Sequence, residues 1–229
     1  MPVVPYSETC TALKTAADFL RLPWSTVATA LVFLHRFQLK QESHQLQPNE
    51  LVSVCLFLAA KVEEAGLSTQ QLINVVACLA APPPAGNPAS ADIHLLRPPL
   101  VDKDYSSAKR QLILHEQLLL RSLHFGIAVE HPYKYLLNLC NLFKLSSSLC
   151  QTALCAINDS LSLTQLCMTH HPATVAAGAL SLALEQADAQ DIDGSMPADW
   201  PELIGVAMDT CQDVSRSIQD AVLEVGTST

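Results

Sequence analysis

Residues 48–66 read PNELVSVCLFLAAKVEEAG, and this stretch decides how the rest of the chain folds. Its apolar residues recur at the spacing of one helical face: Leu51, Cys55, Leu58 and Val62. Other apolar residues fill the remaining sides, and a helix that is apolar nearly all round lies at the centre of a core, because burial removes that surface from water. The stretch therefore predicts a central core helix that begins at Pro48 and stops near Gly66.

Further helical patterns lie on both sides of this centre. They predict helices over 8–21, 26–40, 69–81, 106–123, 133–144, 147–168, 172–187 and 202–225. Ser25 is the predicted N-cap of the second helix, and a break is expected near Ser160. Six prolines within 82–99 predict a stiff, non-helical excursion. No segment alternates apolar and polar residues with period two, so the sequence predicts an all-α protein.

The overall composition narrows the classes of function. The 229 residues are 49% hydrophobic and 15% charged, which favours a helical protein with a sizeable core and a partner that covers part of its surface. A formal net charge of −9 argues against binding to the phosphate backbone of nucleic acid. The chain has no GxGxxG or GxxxxGK motif, so no glycine loop that binds phosphates is predicted. We therefore expect no direct nucleic-acid partner.

No pattern of side chains indicates catalysis, a metal site or a membrane segment. The eight cysteines form no CxxC pair and mostly lie in apolar helical stretches, which indicates reduced packing cysteines in an intracellular protein. His170 and His171 lack accompanying ligands and predict a loop. The pair His115 and Glu116 begins like an HExxH zinc motif, but Leu119 stands where the second histidine would be. No apolar run can span a bilayer, so we expect no membrane partner. Because no catalytic or metal-binding pattern is present, we also expect no cofactor, no metal and no enzyme activity of the chain itself.

Two parts of the chain resemble each other. The central helix at 48–59 aligns with a second apolar helix at 172–183, with proline first in both, and residues 29–31 before it match 152–154 as Thr-Ala-Leu. Two matches in the same order favour two copies of one helical unit. The alternative is that any two helices rich in alanine and leucine align this well. Lys61 is replaced by an acidic residue in the second copy, so charges unique to the first copy are functional candidates.

Several motifs resemble the cyclin family. VATALVFLHRF (27–37) and LVSVCLFLAAKVEE (51–64) are similar to the second and third helices of a cyclin box, and AAKVEE is typical of transcription-type cyclins. HEQLLLRSLHF (115–125) resembles the fifth helix of the box. HPYKYLLNL (131–139) and INDSL (157–161) resemble the second box of the cyclin T, K, L and Q group.

This resemblance implies a fold and a function. The expected fold is two tandem cyclin-box domains of five helices with short terminal helices, the first over 8–128 and the second over 129–225. The first would bind a cyclin-dependent protein kinase and activate it as a regulatory subunit in a heterodimer. The transcription-type motifs imply a kinase that acts on the RNA polymerase II C-terminal domain. They also imply a nuclear location and leave a cytoplasmic one open.

The resemblance also assigns the kinase-binding residues. They are a charged pair, an acidic neighbour and an apolar group: Lys61 and Glu116; Glu64; and Leu58, Leu120 and Phe125. Elementary physics supports the pair, because a carboxylate left unpaired among leucines is costly and Lys61 is a natural partner. The alternatives are a surface lysine that only complements its helix end, a solvated Glu116 and a Phe125 that is plain core. Glu63 and Glu64 are alternatively expected to be solvated, with Glu64 the better candidate for a contact.

Two other functions remain open at this stage. A general transcription factor can use the same two-box fold to bind DNA, but that function requires a basic surface, and the chain has 13 Lys+Arg against 22 Asp+Glu. A cyclin-like scaffold without a kinase partner is the second alternative. The first helix shows no clear version of the substrate-docking motif of cell-cycle cyclins, so recruitment of substrates through it is not expected.

Overall fold

The computed structural model describes residues 6–40, 46–80, 100, 102–187, 196–197 and 199–227. Over these residues the secondary structure is helical, without a β-strand, and the prediction of an all-α protein is confirmed for this part of the chain. The chain divides into two compact units, residues 1–129 and 130–229. The predicted proline-rich excursion at 82–99 lies outside the described residues.

The first unit is built around the helix that the opening stretch predicts. Its helices are α1 (Tyr6–Phe19), α2 (Trp24–Gln38), α3 (Pro48–Val62), α4 (Thr69–Ala80) and α5 (Asp102–Ser122). Helix α3 packs against each of the other four. Nine of its fifteen residues are buried, as its apolar sequence requires. The central position predicted for this stretch is therefore confirmed.

The end of α3 differs from the prediction. The helix ends at Val62 rather than near Gly66, and Glu64 adopts a left-handed backbone conformation with φ of +53°. The N–H of Ala65 then donates to the carbonyl oxygen of Ala60 at 2.9 Å, which is the long hydrogen bond of a Schellman motif. Glycine usually occupies this left-handed position, so the sequence pointed to Gly66, whereas the structure places a glutamate there.

The second unit also surrounds an apolar helix. Its helices are α6 (Tyr133–Phe143), α7 (Ser147–Leu163), α8 (Leu166–Thr169), α9 (Pro172–Glu185), α10 (Trp200–Leu203) and α11 (Met208–Thr227). Helix α9 packs against α6, α7, α8 and α11. At Gly178 the backbone of α9 lies so close to α11 that a Cβ atom would stand 2.4 Å from Cγ1 of Val214. This close approach of α9 to α11 thus depends on a residue without a side chain.

Two predicted features of the helices are wrong. Ser25 is not an N-cap, because α2 begins at Trp24, two residues before the predicted start, and Pro23 occupies the N-cap position. Pro23 has an extended conformation, and its carbonyl oxygen accepts the N–H of Val27 at 3.3 Å. The break predicted near Ser160 falls at residues 164–165 instead. The Ser160 side chain is buried and donates to a backbone carbonyl of its own helix, so it does not interrupt α7.

Two other helices begin at different residues from those predicted. Helix α5 begins at Asp102, about one turn before the predicted start at residue 106. The last helix begins at Met208 rather than residue 202, because the short α10 precedes it. Trp200 in α10 is buried and its ring packs edge-on against Phe143 at 6.2 Å between centroids. This contact packs α10 against the end of α6.

None of the eight cysteines forms a disulfide, and four of them are buried: Cys10, Cys55, Cys140 and Cys211. Burial raises the pKa of the Cys211 thiol to about 11, so this side chain stays protonated and packs as a small apolar group. Cys155 is exposed and does not fit the packing role predicted for most of the cysteines. No described helix combines the length and the apolar character that crossing a bilayer requires.

Candidate functional site

The packing of α3 against α5 brings Lys61 and Glu116 together. The Lys61 ammonium donates to both carboxylate oxygens of Glu116, at 2.6 Å to Oε1 and 2.8 Å to Oε2. The two residues are 55 positions apart in the sequence, so the contact depends on the tertiary fold. The carboxylate expected to need a cation therefore has one within the chain.

The two members of this pair differ in their exposure. The side chain of Lys61 is 51% exposed, whereas that of Glu116 is 13% exposed. The Lys61 ammonium also lies 4.0 Å from the centroid of the Phe57 ring, in a cation–π arrangement. An ion pair with one member so exposed contributes about 1 kcal/mol or less to stability. The pair is thus a charged feature at the surface that the fold does not strictly need.

The three apolar candidates have different surroundings. Leu58 is 3% exposed, so it packs in the core and presents almost no surface. Leu120 lies one helical turn after Glu116 on α5 and is partly exposed. Phe125 is 68% exposed, which contradicts its alternative assignment as plain core. The structure thus leaves Phe125 and part of Leu120 open at the surface, whereas Leu58 is in the core.

The two glutamates after α3 also differ. Glu63 accepts a hydrogen bond from the Thr29 hydroxyl at 2.7 Å, so the expectation that it is simply solvated is wrong. Glu64 is exposed and holds the left-handed position described above. Of these two glutamates, Glu63 has a hydrogen-bonded carboxylate, whereas the structure shows no hydrogen bond or ion pair for the Glu64 carboxylate within the described residues.

Replacing Glu64 by glycine should stabilise the protein. Glycine adopts the left-handed conformation without the steric cost that a Cβ atom incurs, so we expect Glu64→Gly to raise the free energy of unfolding by about 0.5–1 kcal/mol. For a chain of this size the Tm should rise by about 1–3 °C in thermal melts followed by circular dichroism. Glu64→Ala removes the same carboxylate without relieving the backbone, and a rise as large in this control would contradict the explanation.

The turn that follows α5 contains residues that sequence reasoning missed. His124 and Phe125 both have left-handed conformations, with φ of +50° and +59°. Arg36 of α2 donates through Nη1 to the carbonyl oxygen of Gly126 at 2.9 Å, and Lys40 Nζ lies 3.1 Å from His124 Nε2. These contacts join residues 84 and 90 positions apart, and no local pattern indicates them.

The histidine pair before α9 has a structural role that the sequence did not reveal. His171 is the N-cap of α9, and its Nδ1 accepts the N–H of Ala173 at 3.2 Å. A histidine followed by proline at the first helical position was the available signal. Among the residues described, no group of three or more His, Cys, Asp or Glu side chains is arranged to hold a metal ion.

Relatives named Cyclin-T align with most of this chain at about 30% identity. Cyclin-T1-3 of Oryza sativa subsp. japonica is 30% identical over 217 residues, which cover 94% of this chain and 41% of the relative. Cyclin-T2 of Homo sapiens is 32% identical over 160 residues, which cover 69% of this chain and 20% of the relative. The chain thus spans less than half the length of either protein.

The fold has counterparts among solved structures. A chain in the crystal structure of the yeast RNA Pol II CTD kinase CTDK-1 complex matches with a TM-score of 0.70 and 17% identity, over 93% of this chain and 63% of that chain. The family profile described as "Cyclin, N-terminal domain" matches residues 8–128, the part that contains α1 to α5 and the pair of Lys61 and Glu116. This match spans more than half of the sequence, and the chain therefore belongs to the cyclin family.

Proposed function

We propose that the chain is the regulatory, activating subunit of a cyclin-dependent protein kinase of the transcription-associated type. Membership of the cyclin family supports a regulatory role. The relatives named Cyclin-T and the similar fold in an RNA Pol II CTD kinase complex support the transcription-associated type. The RNA polymerase II C-terminal domain is then the substrate of the complex, and the nucleus is its location.

The observation that carries this proposal is the ion pair of Lys61 and Glu116 at the surface of the first unit. Lys61 is half exposed and lies against the Phe57 ring, so its ammonium is fixed in place and still accessible. A fixed cation beside a carboxylate offers one donor and one acceptor group to a partner helix. Because the pair contributes little to stability, its hydrogen bonds can be shared with a partner at small cost.

The proposed mechanism uses binding energy alone. In protein kinases, activity requires an ion pair between a lysine of the β3 strand and a glutamate of the mobile αC helix. The cyclin surface holds that helix in its active position because it binds the active conformation of the kinase more tightly than the inactive one. The chain contributes no catalytic group and no cofactor to this step.

The proposed contact surface follows the residues assigned from the sequence, with one change. Lys61, Glu116 and Glu64 supply the charged groups, and Leu120 and Phe125 supply exposed apolar surface. Leu58 is buried, so its proposed part is to support α3 from the core rather than to touch the kinase. Ile127 is exposed two residues after Phe125 and extends the apolar part of the surface.

We further propose that residues 129–225 form a second cyclin box. The support is the shared plan of the two units, since each surrounds one apolar helix that begins with proline, α3 in the first and α9 in the second. In α9 the residue that corresponds to Lys61 is Glu185, so this unit lacks the charged pair. Kinase binding is accordingly assigned to residues 8–128.

Adding the purified chain to purified cyclin-dependent kinases should activate one of them. The measurement is phosphate transfer to a peptide from the RNA polymerase II C-terminal domain. If the free kinase populates its active form at about 1%, complete stabilisation of that form raises the rate about 100-fold. Failure to bind or activate any kinase of the class would overturn the proposal. A salt-dependent shift of duplex DNA would instead favour the transcription-factor alternative.

A further inference from the structure

The turn at residues 123–127, which follows α5, has a strained backbone. His124 and Phe125 are consecutive non-glycine residues with positive φ, and a Cβ atom makes that conformation unfavourable. Hydrogen bonds within the turn run from the N–H of Gly126 to the carbonyl of Leu123 and from the N–H of Ile127 to the carbonyl of Phe125, both at 2.9 Å. Strained residues persist where their surroundings hold them, and they concentrate at functional sites.

Two cationic side chains from the end of α2 hold this turn. The guanidinium of Arg36 donates to the carbonyl oxygen of Gly126 at 2.9 Å, on one side of Phe125. Lys40 Nζ lies 3.1 Å from Nε2 of His124, the residue that precedes Phe125, whereas Gly126 follows it. An ammonium group only donates, so in this contact Lys40 is the donor and His124 Nε2 the acceptor.

The turn presents an aromatic side chain to solvent. Phe125 is the most exposed of the large hydrophobic residues in the described part of the chain, and Ile127 beside it is also exposed. Neither exposure stabilises the isolated chain, because apolar surface in water is unfavourable. A rigid aromatic residue on a fixed turn does favour binding, since little conformational freedom remains to be lost when a partner covers it.

We propose that Arg36 and Lys40 are positioning residues that hold the turn at 123–127 so that Phe125 is already in its binding conformation when the kinase arrives. This inference rests on the proposed function and extends its site to α2. Both side chains act through the turn, because their polar atoms bind the groups that flank Phe125. The contacts are exposed and contribute little to global stability, so their main effect is local.

The test begins with Arg36→Met and Lys40→Met, which keep the length and the apolar stem of each side chain but remove the donor. We expect each to weaken the affinity for the kinase about 3- to 10-fold, the range that corresponds to ordering one turn at the moment of binding. Arg21→Met is the matched control, because Arg21 is an exposed arginine at the end of α1 with the same change of charge. Equal affinity for Arg36→Met and Arg21→Met would overturn the inference.

A double-mutant cycle with Phe125 separates positioning from direct contact. If Arg36 acts by placing Phe125, Arg36→Met should have no further effect on affinity in a Phe125→Ala background. If the two losses of affinity simply add, Arg36 touches the kinase itself and the positioning role is wrong. Arg36→Lys keeps the charge but not the fixed fork of the guanidinium, and partial recovery of affinity is expected.

Hydrogen exchange of the free chain keeps this inference distinct from the proposed function. The amides of residues 124–127 should exchange faster in Arg36→Met and Lys40→Met than in the wild type, while the amides of α3 remain unchanged. Unchanged exchange at 124–127 would overturn the positioning role even if the wild type binds a kinase. If the wild type binds no kinase, the proposed function fails, and with it the assignment of a partner to this turn.

Discussion

The double variant Lys61→Ala, Glu116→Ala should fold normally and lose its affinity for the kinase about 100-fold or more. A 100-fold loss is about 2.7 kcal/mol of binding free energy, which lies within the range of about 2–5 kcal/mol for truncating a buried, hydrogen-bonded charge at an interface. The fold should tolerate the change, because removing both members leaves no unpaired carboxylate at the poorly exposed Glu116 position. Circular dichroism should show unchanged helical content, and titration of the kinase should show the loss.

The second unit provides a matched control for this experiment. Glu130 and Lys134 form an exposed ion pair there, and Tyr135 also donates to Glu130 at 2.8 Å. Glu130→Ala with Lys134→Ala changes the charge of the chain in the same way and should leave the affinity for the kinase unchanged. If the Lys61 and Glu116 variant binds as tightly as this control, the assignment of the site is wrong, although membership of the cyclin family stands.

Exchanging the charges of Lys61 and Glu116 shows whether the kinase recognises these charges or whether the ion pair only joins α3 to α5. Lys61→Glu with Glu116→Lys preserves an ion pair between α3 and α5 but reverses the groups offered to a partner. If the kinase reads the charges, this variant should bind as poorly as the double alanine variant. Recovery of affinity on exchange would show that the pair only joins the two helices.

The centre of the fold could be predicted from the sequence because its cause is local. The stretch that forms α3 is apolar on nearly every side, and only a central position satisfies such a helix. The pairing of Lys61 with Glu116 could also be anticipated, since a carboxylate among leucines needs a cation and the resemblance to cyclins named one. Both inferences rest on properties of the side chains themselves: the apolar character of the α3 residues and the negative charge of Glu116.

The remaining features depend on contacts that local patterns do not contain. Arg36 and Lys40 meet the turn after α5 across more than 80 positions of sequence, so neither appeared as a candidate. Periodicity placed Leu58 on an apolar face without showing how deeply it is buried. The sequence predicted that α3 stops near Gly66, whereas the helix ends at Val62 and the left-handed position falls on Glu64, beside the Schellman hydrogen bond.

A single methyl group at position 178 should destabilise the second unit. Glycine within a helix ordinarily costs up to about 1 kcal/mol relative to alanine, so Gly178→Ala in an open helix would be stabilising. Here the added Cβ would lie 2.4 Å from Cγ1 and 2.7 Å from Cβ of Val214, and 3.2 Å from the backbone nitrogen of Ser215. The two nearer atoms belong to a branched side chain beside the main chain, so α9 and α11 must separate to admit the methyl group.

The expected result is a loss of about 2 kcal/mol in the free energy of unfolding, within the range for overpacked cores after the gain in helix propensity is subtracted. Thermal melts followed by circular dichroism should show a Tm lower by about 4–8 °C. In a Val214→Gly background the same substitution should be nearly neutral, because the two nearest atoms are gone and the remaining 3.2 Å contact with the Ser215 nitrogen offsets the gain in helix propensity. Val214→Ala should relieve it only in part, because its Cβ remains. An equal loss in all three backgrounds would show that the close approach of α11 is not the cause.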